Sequence, residues 1–280
     1  MKRHFKSNSF LKGYLQFLHD EMNVEILYSS TSSLLRRYPQ LVNTSLARIF
    51  EPDGYLISHV HELNQLLQQY ISKMKHTTTP PPVTAEQPRS CGMTKDEGYD
   101  NAANATFPRI GILNRSPKSG RSISNTAQLV NAIANLSLHQ QVGIEYFESS
   151  SFEEQVEFFQ KTDILISPHG AQLTGTPFLA KGDKCSQLLE IFPPNYLIPA
   201  FYGSLARNSD IGYSYWYLSD EAPPAPAVSH GDAPKVFPET IEQRKKVRGV
   251  NLCVPVDVIQ KSIESLVADW RECCLHAEAA

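Results

Sequence analysis

One turn in this chain has the residue types and spacing needed to bind an anion. His169, Gly170 and Ala171 follow a short apolar run at residues 163–167 and precede a segment that can form a helix. A turn of this kind directs free backbone N–H groups and the positive end of a helix dipole at a ligand, and glycine permits close approach. The imidazole of His169 can donate a hydrogen bond to a phosphate oxygen. In the alternative interpretation the turn is an ordinary structural unit and the histidine only caps the helix.

A basic loop follows an earlier apolar run and carries the second group of candidate residues. The loop has the sequence NRSPKSGRSISN at residues 114–125 and contains Arg115 and Arg121. Guanidinium groups stay charged at any working pH and bind phosphate in a bidentate manner, so two of them beside a helix N-terminus suit a diphosphate. Both could instead be solvated surface charges. The position of Arg115 directly after a strand favours a binding role, whereas both interpretations of Arg121 stay open.

Glu190 lies near the end of another predicted strand, LLEIFP. Its carboxylate could accept hydrogen bonds from a ribose or sugar hydroxyl, or it could pair with a neighbouring arginine. The glycine-rich dinucleotide fingerprint is absent, because GIL at 111–113 is followed by Asn-Arg, and this argues against a nicotinamide enzyme. Late aromatic residues could stack on a base or sugar, although packing is their more usual role: Tyr213, Tyr215, Trp216 and Tyr217.

Strands and helices that alternate between residues 107 and 218 would hold these groups together. Predicted strands cover residues 107–113, 142–147, 163–167, 187–192 and 213–218. Between them we predict a helix capped by Ser124 or Asn125, a helix that begins with the capping box of Ser151 and Glu154, and helices at about 171–180 and 199–207. This order predicts an α/β domain with a doubly wound parallel sheet, whose ligand lies at the carboxyl ends of the strands.

The flanking segments differ in character from this domain. Residues 1–75 have helical periodicity and form a smaller, mainly helical or partial α/β region, and the Pro- and Thr-rich residues 76–106 read as a linker or a disordered insertion. The domain itself is assigned to 107–254, interrupted by a Pro- and Ala-rich stretch at 221–234. Residues 255–280 are predicted to form one amphipathic helix with these apolar side chains inward: Val258, Ile259, Ile263, Leu266, Val267 and Trp270.

Composition narrows the classes of function. The 280 residues are 41% apolar with a formal net charge of −3, which is typical of a globular protein and gives no overall basic field for nucleic acid. No apolar run is long enough to cross a bilayer, and polar residues interrupt what would be the core of a signal peptide at the start. A membrane contact would therefore need an anchor not present in this sequence. Two interpretations stay open, namely that the protein is cytoplasmic or that the sequence is a fragment.

The cysteines and glycosylation triplets add little. Five cysteines without CxxC spacing do not suggest a zinc site, and a disulfide cannot be assigned from them. Asn-X-Ser/Thr triplets would matter only in the secretory pathway, and they begin at Asn43, Asn104, Asn114 and Asn135.

Five segments follow one another along the chain: NRSPKSGRSISN at 114–125, FEEQ at 152–155, DILISPHGAQLTG at 163–175, LLEIFP at 188–193 and AFYGSLARNSDIGYSYWYL at 200–218. In this order they resemble the catalytic domain of glycosyltransferase family 61, over about residues 107–218. This family includes plant xylosyl- and arabinosyltransferases and animal enzymes that add N-acetylglucosamine to protein O-linked sites. The resemblance implies a GT-B-type fold of two Rossmann-like halves, with the nucleotide sugar held mainly by the C-terminal one.

The resemblance also implies roles for individual residues. Residues 1–75 would be the acceptor side, and residues 107–254 would bind the nucleotide sugar. Gln155 would support the diphosphate site together with Glu190, and no catalytic base is assigned. The site itself would consist of the arginines of the basic loop and the HGAxLT turn, namely Arg115, Arg121, His169, Gly170, Ala171 and Thr174.

By resemblance, the expected activity is transfer of a sugar from a nucleotide-sugar donor, expected to be UDP-linked, to a hydroxyl of a glycan or glycoprotein. The mechanism would be inverting and independent of metal and cofactor, with side chains and a helix dipole neutralising the leaving diphosphate. The compartment implied is the lumen of the Golgi or endoplasmic reticulum. The alternative is a catalytically silent module that keeps a sugar-nucleotide or glycan pocket without turnover.

Overall fold

A computed structural model describes five continuous stretches of the chain, residues 60–76, 108–136, 142–179, 185–218 and 247–278, with residues 10, 13, 14, 16, 17, 20, 226, 227, 242 and 243. The predicted linker at 76–106 lies outside them except for its first residue, His76, which instead ends a helix, and most of residues 1–59 also lies outside. The helices are α1 Val60–His76, α2 Thr126–Ala134, α3 Phe152–Lys161, α4 Ala200–Arg207 and α5 Val256–Glu278. The strands are β1 Ile110–Asn114, β2 Val142–Tyr146, β3 Ile164–Pro168, β4 Gln187–Phe192, β5 Gly212–Tyr217 and β6 Pro226–Ala227.

The sheet has the strand order β2-β1-β3-β4-β5-β6, in which the first five strands are parallel and β6 pairs antiparallel to β5. The predicted α/β class is therefore confirmed, and each predicted parallel strand lies within a few residues of its observed bounds. The chain leaves β1 toward β2 on one side and returns to β3 on the other. Such a reversal of strand order opens a crevice at the carboxyl ends of β1 and β3, where ligands of this architecture bind.

Both faces of the sheet are covered, as in a doubly wound fold. Successive strand residues point to opposite faces, so Ile164 and Ile166 pack with α2 and α5 while Leu165 packs with α1, α3 and α4. Strands buried on both sides are largely apolar, and β1, β3 and β4 accordingly consist mainly of apolar residues, with Glu190 in β4 as a buried, ionisable exception. The edge strand β2 is half exposed.

The helix signals in the sequence are mostly confirmed. The Ser151 hydroxyl accepts from Glu154 N–H and the Glu154 carboxylate accepts from Ser151 N–H, which is the predicted capping box of α3. Helix α5 occupies the predicted position, with Ile259, Ile263 and Trp270 fully buried. Asn125 is the N-cap of α2 but makes no capping hydrogen bond with its side chain.

The helix predicted at 171–180 is instead a 3-10 helix, Ala171–Leu179. Pro177 lies inside it and has no N–H to donate to an α-helical ladder. The hydroxyls of Thr174 and Thr176 donate to the carbonyls of Ala171 and Leu173, three residues back, at 2.7 and 2.6 Å. These local bonds compete with the α-helical pattern and favour the tighter turn.

Cys185 and Cys273 form a disulfide across 88 residues, which ties the segment before β4 to α5. The sequence left this pairing open because the two cysteines approach only when α5 packs back onto the sheet. Among the helices described, none is long and apolar enough to cross a membrane.

We expect the double substitution Cys185→Ser/Cys273→Ser to lower the free energy of unfolding by about 2–4 kcal/mol, because the crosslink restricts a long loop in the unfolded chain. Urea unfolding monitored by circular dichroism measures this change. Cys253→Ser, at an exposed cysteine, is the matched control and should leave the midpoint unchanged. If the double variant and the wild type have equal unfolding midpoints under both oxidising and non-oxidising conditions, the disulfide assignment is wrong.

Candidate functional site

The strand reversal brings Arg115 and His169 to the same edge of the sheet. Arg115 follows the last residue of β1 and His169 follows the last residue of β3, and these strands are direct parallel neighbours. The Arg115 Nη1 donates to Gln172 Oε1 at 2.9 Å, and Gln172 Nε2 donates to the Pro168 carbonyl at 3.1 Å. Gln172 therefore fixes the guanidinium group of Arg115 over the turn after β3.

Gly170 permits this approach. A Cβ atom at this position would collide with Arg115 Nη1 and with Gln172 Oε1. Glycine is thus needed here for the close passage of a guanidinium group, and its backbone is in contact with the cation rather than open for an anion as the sequence suggested. The N–H of His169 is also not free, because it donates to the Ile191 carbonyl at 2.9 Å.

Asn114 closes the basic loop between β1 and α2. Its Oδ1 accepts from the N–H groups of Arg115 and Ile123, both at 2.8 Å. Its Nδ2 donates to the Ile123 carbonyl at 3.0 Å and to Thr126 Oγ1 at 2.8 Å. Asn114 is 2% exposed, so its amide is not accessible as a glycosylation acceptor in this fold and stabilises the loop.

The far end of the basic loop pairs with a segment near the C-terminus. Arg121 N–H donates to the Val250 carbonyl at 2.8 Å, and Ile123 forms a parallel bridge with Leu252. Asn125 exchanges two bonds with the backbone of Val254, at 2.8 and 2.9 Å, which explains why it does not cap α2.

This pairing places Arg121 in a constrained conformation. Its φ of 59° lies in the left-handed region, which costs a residue with a side chain about 1 kcal/mol or more. Gly120 before it has a φ of 67° and packs directly against the Arg248 carbonyl. In this conformation the Arg121 Cζ lies 5.6 Å from the centre of the Tyr196 ring.

The site concentrates positive charge that its own residues do not neutralise. Arg121 is 8% exposed, and the Nε atoms of Arg121 and Arg115 are buried without a hydrogen-bond partner among the described residues. Burial, and after it the charge of Arg115, lowers the pKa of Arg121 to about 10, and burial also lowers the pKa of Arg115. Arg248 adds to this repulsion, whereas Glu148 partly offsets it at Arg115. An anion with several oxygens would satisfy these groups.

His169 lies at the back of the same crevice, 5% exposed. Its Nδ1 is 2.6 Å from Glu190 Oε1, and its Nε2 is 3.4 Å from the Tyr196 hydroxyl. The ring packs against the rings of Phe192, Tyr196 and Tyr202, with centroids 4.9 to 5.3 Å apart. The imidazole is thus held by one carboxyl partner and by the aromatic rings around it.

The structure does not bring every predicted residue into this crevice. Gln155 donates to the Ser150 carbonyl at 3.0 Å from the start of α3, and the hydroxyl of Thr174 is used within the 3-10 helix. Glu190 is fully buried, and among the described residues its carboxyl contacts His169 and Tyr213 and no arginine. In the described part of the chain, no group of three or more His, Cys, Asp or Glu side chains is arranged to hold a metal ion.

Several residues in the site were missed by sequence reasoning. Gln172 lies inside the HGAQLT motif and could have been singled out as the polar residue at its variable position. The others gave no local signal, because contacts between distant parts of the chain bring them in: Tyr196 and Arg248. Trp216, considered for stacking on a ligand, is 1% exposed and donates to Ser262 Oγ at 3.0 Å, so it serves packing.

The fold and the site together define an α/β protein with an arginine-lined crevice at its topological switch point. The family model described as Glycosyltransferase 61 matches residues 15–186, more than half of the sequence, and the chain belongs to this family. The chain is also similar to the protein O-linked-mannose beta-1,4-N-acetylglucosaminyltransferase 2 of Takifugu rubripes, with 30% identity over 152 residues. The match covers 52% of this chain and spans 24% of that relative's length.

We expect Gly170→Ala to weaken binding of UDP by about tenfold while changing the free energy of unfolding by less than about 1 kcal/mol. The added Cβ meets the flexible ends of two side chains, so the guanidinium group of Arg115 moves and the backbone does not. Isothermal titration calorimetry and urea unfolding measure the two effects. Gly143→Ala, where nothing lies within 4 Å of the added atom, is the control. Unchanged affinity in Gly170→Ala would show that Arg115 does not bind the ligand.

We expect Arg121→Gln to raise the free energy of unfolding of the unliganded protein by about 1 kcal/mol and to remove its thermal stabilisation by UDP. The folded pKa of about 10 lies below that of the unfolded chain, which therefore binds the proton more tightly. The charged side chain thus destabilises the fold at every pH below about 10, and this penalty fades as the pH rises above that value. Differential scanning fluorimetry at pH 7.5 tests both parts, and a variant that is destabilised yet still stabilised by UDP would contradict them.

Proposed function

We propose that this protein binds a nucleotide sugar through its diphosphate and transfers the sugar to a hydroxyl group of a glycan or glycoprotein. The observation that carries the proposal is the pair of buried Nε atoms of Arg115 and Arg121, which have no partner among the described residues and which lie at the switch point of the sheet. Buried donors normally have hydrogen-bond partners. Two buried N–H donors without a protein partner therefore favour a ligand with oxygen acceptors. Membership of the glycosyltransferase family supports a sugar-linked diphosphate over other anions.

In the proposed reaction the acceptor oxygen attacks the anomeric carbon and the bond from that carbon to the phosphate oxygen breaks. The bonding electrons leave with the diphosphate, and the proton of the acceptor hydroxyl passes to a base. Attack opposite the leaving group would invert the configuration. Charge builds up on the diphosphate, and guanidinium groups in a site sheltered from water would stabilise it without a metal ion.

The comparison supports a proposal for the donor and the acceptor. The name of the Takifugu rubripes relative states N-acetylglucosamine as the transferred group and protein O-linked mannose as the acceptor of that protein. A UDP-linked donor and a glycan or glycoprotein acceptor are the corresponding proposal for this chain. In it, the sheet is the nucleotide-binding half of a GT-B-type fold, and residues 1–75 contribute to the acceptor side.

The disulfide between Cys185 and Cys273 supports an oxidising compartment for the protein. Disulfides persist in oxidising compartments and are rare in the cytosol. The pairing therefore favours the lumen of the secretory pathway, in the Golgi or endoplasmic reticulum, which is where glycoproteins are modified.

The test is a comparison of Arg115→Gln with Arg271→Gln, which makes the same charge change on the exposed face of α5. We expect Arg115→Gln to weaken UDP binding by at least tenfold, since it removes a charge-assisted bidentate donor, while Arg271→Gln binds as the wild type does. Calorimetry with UDP measures binding, and release of UDP from UDP-N-acetylglucosamine in the presence of O-mannosyl peptide measures turnover.

The outcomes separate the candidate functions. If the wild type binds UDP and turns over the donor, and Arg115→Gln loses both, the results support the transferase. Binding without turnover on any UDP-sugar and O-glycan acceptor supports the catalytically silent module. Equal UDP binding by the wild type and Arg115→Gln, or none by either, would reject the diphosphate site.

A further inference from the structure

Behind the proposed diphosphate site lies a fully buried carboxylate, that of Glu190 in β4. Its Oε1 is 2.6 Å from His169 Nδ1, and its Oε2 accepts a hydrogen bond from the Tyr213 hydroxyl at 2.6 Å. Both oxygens are therefore engaged from within the protein. Glu190 can influence a ligand only through the imidazole in front of it.

Both neighbours of the Glu190 carboxyl can donate a hydrogen bond to it. Burial and the nearby Glu190 raise the pKa of Tyr213 well above its usual range, so at working pH the phenol keeps its proton and donates it. A carboxylate can accept at both of its oxygens, and each oxygen of Glu190 has one such neighbour. A charge buried in this way requires a compensating charge, and His169 is the ionisable base in contact with it among the described residues.

The geometry leaves the second nitrogen of His169 available to the crevice. With Nδ1–H directed at Glu190, a doubly protonated ring carries its other N–H at Nε2. Nε2 is 3.4 Å from the Tyr196 hydroxyl, which is longer than a normal hydrogen bond to a hydroxyl. The hydroxyl is thus a weak partner that a better acceptor can displace.

We infer, on the basis of the proposed function, that Glu190 is a positioning residue that keeps a second proton on His169, so that Nε2–H donates to an oxygen of the bound diphosphate. Tyr213 holds the carboxylate in place for this task. The proton then contributes one more positive charge where the leaving group gathers negative charge.

The charges that face the imidazole act in both directions. From the basic loop and the segment paired with it, Arg115, Arg121 and Arg248 disfavour a charged ring. From β4, Glu190 favours it, and the rings of Tyr196 and Tyr202 pack against it. Arg207, whose Cζ lies 5.8 Å from the centre of the Tyr213 ring, acts from behind. The incoming diphosphate offsets the arginines, so the charged ring is favoured when the ligand is bound.

The variant that tests this inference is Glu190→Gln, which keeps the shape of the side chain and removes its charge. We expect UDP to bind this variant about tenfold more weakly at pH 7.5. We also expect its affinity to decline with rising pH at least one pH unit earlier than in the wild type. Calorimetry between pH 6.5 and 9 gives both profiles, and the titration of UDP itself is common to all variants and cancels.

Two further variants distinguish this role from a structural one. Tyr213→Phe keeps the carboxylate charge, so its pH profile should fall at the wild-type position whatever its affinity. In a His169→Gln background, adding Glu190→Gln should change UDP affinity by less than about twofold, because the effect passes through the imidazole. An equal loss at every pH, or an equal loss in both backgrounds, would overturn the inference.

A measurement on the wild type covers the case in which Glu190→Gln does not fold. In protein labelled with ¹⁵N-histidine, and with His169 assigned by His169→Gln, both ring nitrogens should have shifts of protonated nitrogen when UDP saturates the site at pH 7.5. One unprotonated nitrogen would overturn the inference. If UDP binds the wild type and Arg115→Gln weakens that binding, an unprotonated ring nitrogen rejects this inference alone. If UDP does not bind the wild type, the proposed function is rejected.

Discussion

Positive charge that is buried without a full set of partners is the constraint on which the site of this protein depends. Arg115 and Arg121 both have a buried Nε without a partner among the described residues, and burial lowers the pKa of both. Such groups destabilise a fold unless something else holds them. Here Gln172 orients Arg115, the ring of Tyr196 faces Arg121, and the tight turn at Gly170 leaves room for the cations.

The stability lost at the crevice is offset by rigid surroundings. Asn114 accepts and donates across the basic loop, and residues 121–125 add a short parallel pairing to residues 250–254. The disulfide then fixes α5, which follows that pairing, to the segment before β4. A strained residue such as Arg121 persists only where neighbours determine its conformation in this way, and strain of this kind is concentrated at functional sites.

Most of the fold could be predicted from sequence because its signals are local. Strands buried on both faces read as largely apolar runs. The start of α3 is marked by a capping box that needs only the four residues from Ser151 to Glu154. The errors also have local causes. Pro177 and the threonine hydroxyls turn a predicted helix into a 3-10 helix, and Asn125 uses its amide on Val254 instead of its own helix.

What the sequence by itself determined is the alternation of strands and helices, and with it the edge of the sheet at which Arg115 and His169 emerge. The alternation follows from apolar runs and helical periodicity, which are properties of short segments, and right-handed crossovers make such a sheet parallel. Only the tertiary structure decided that Arg121 is buried beside Tyr196, that Arg248 joins the site, and that Glu190 faces His169 instead of the ligand. These contacts join residues far apart in the chain, and no local pattern specifies which partner a buried polar group will meet.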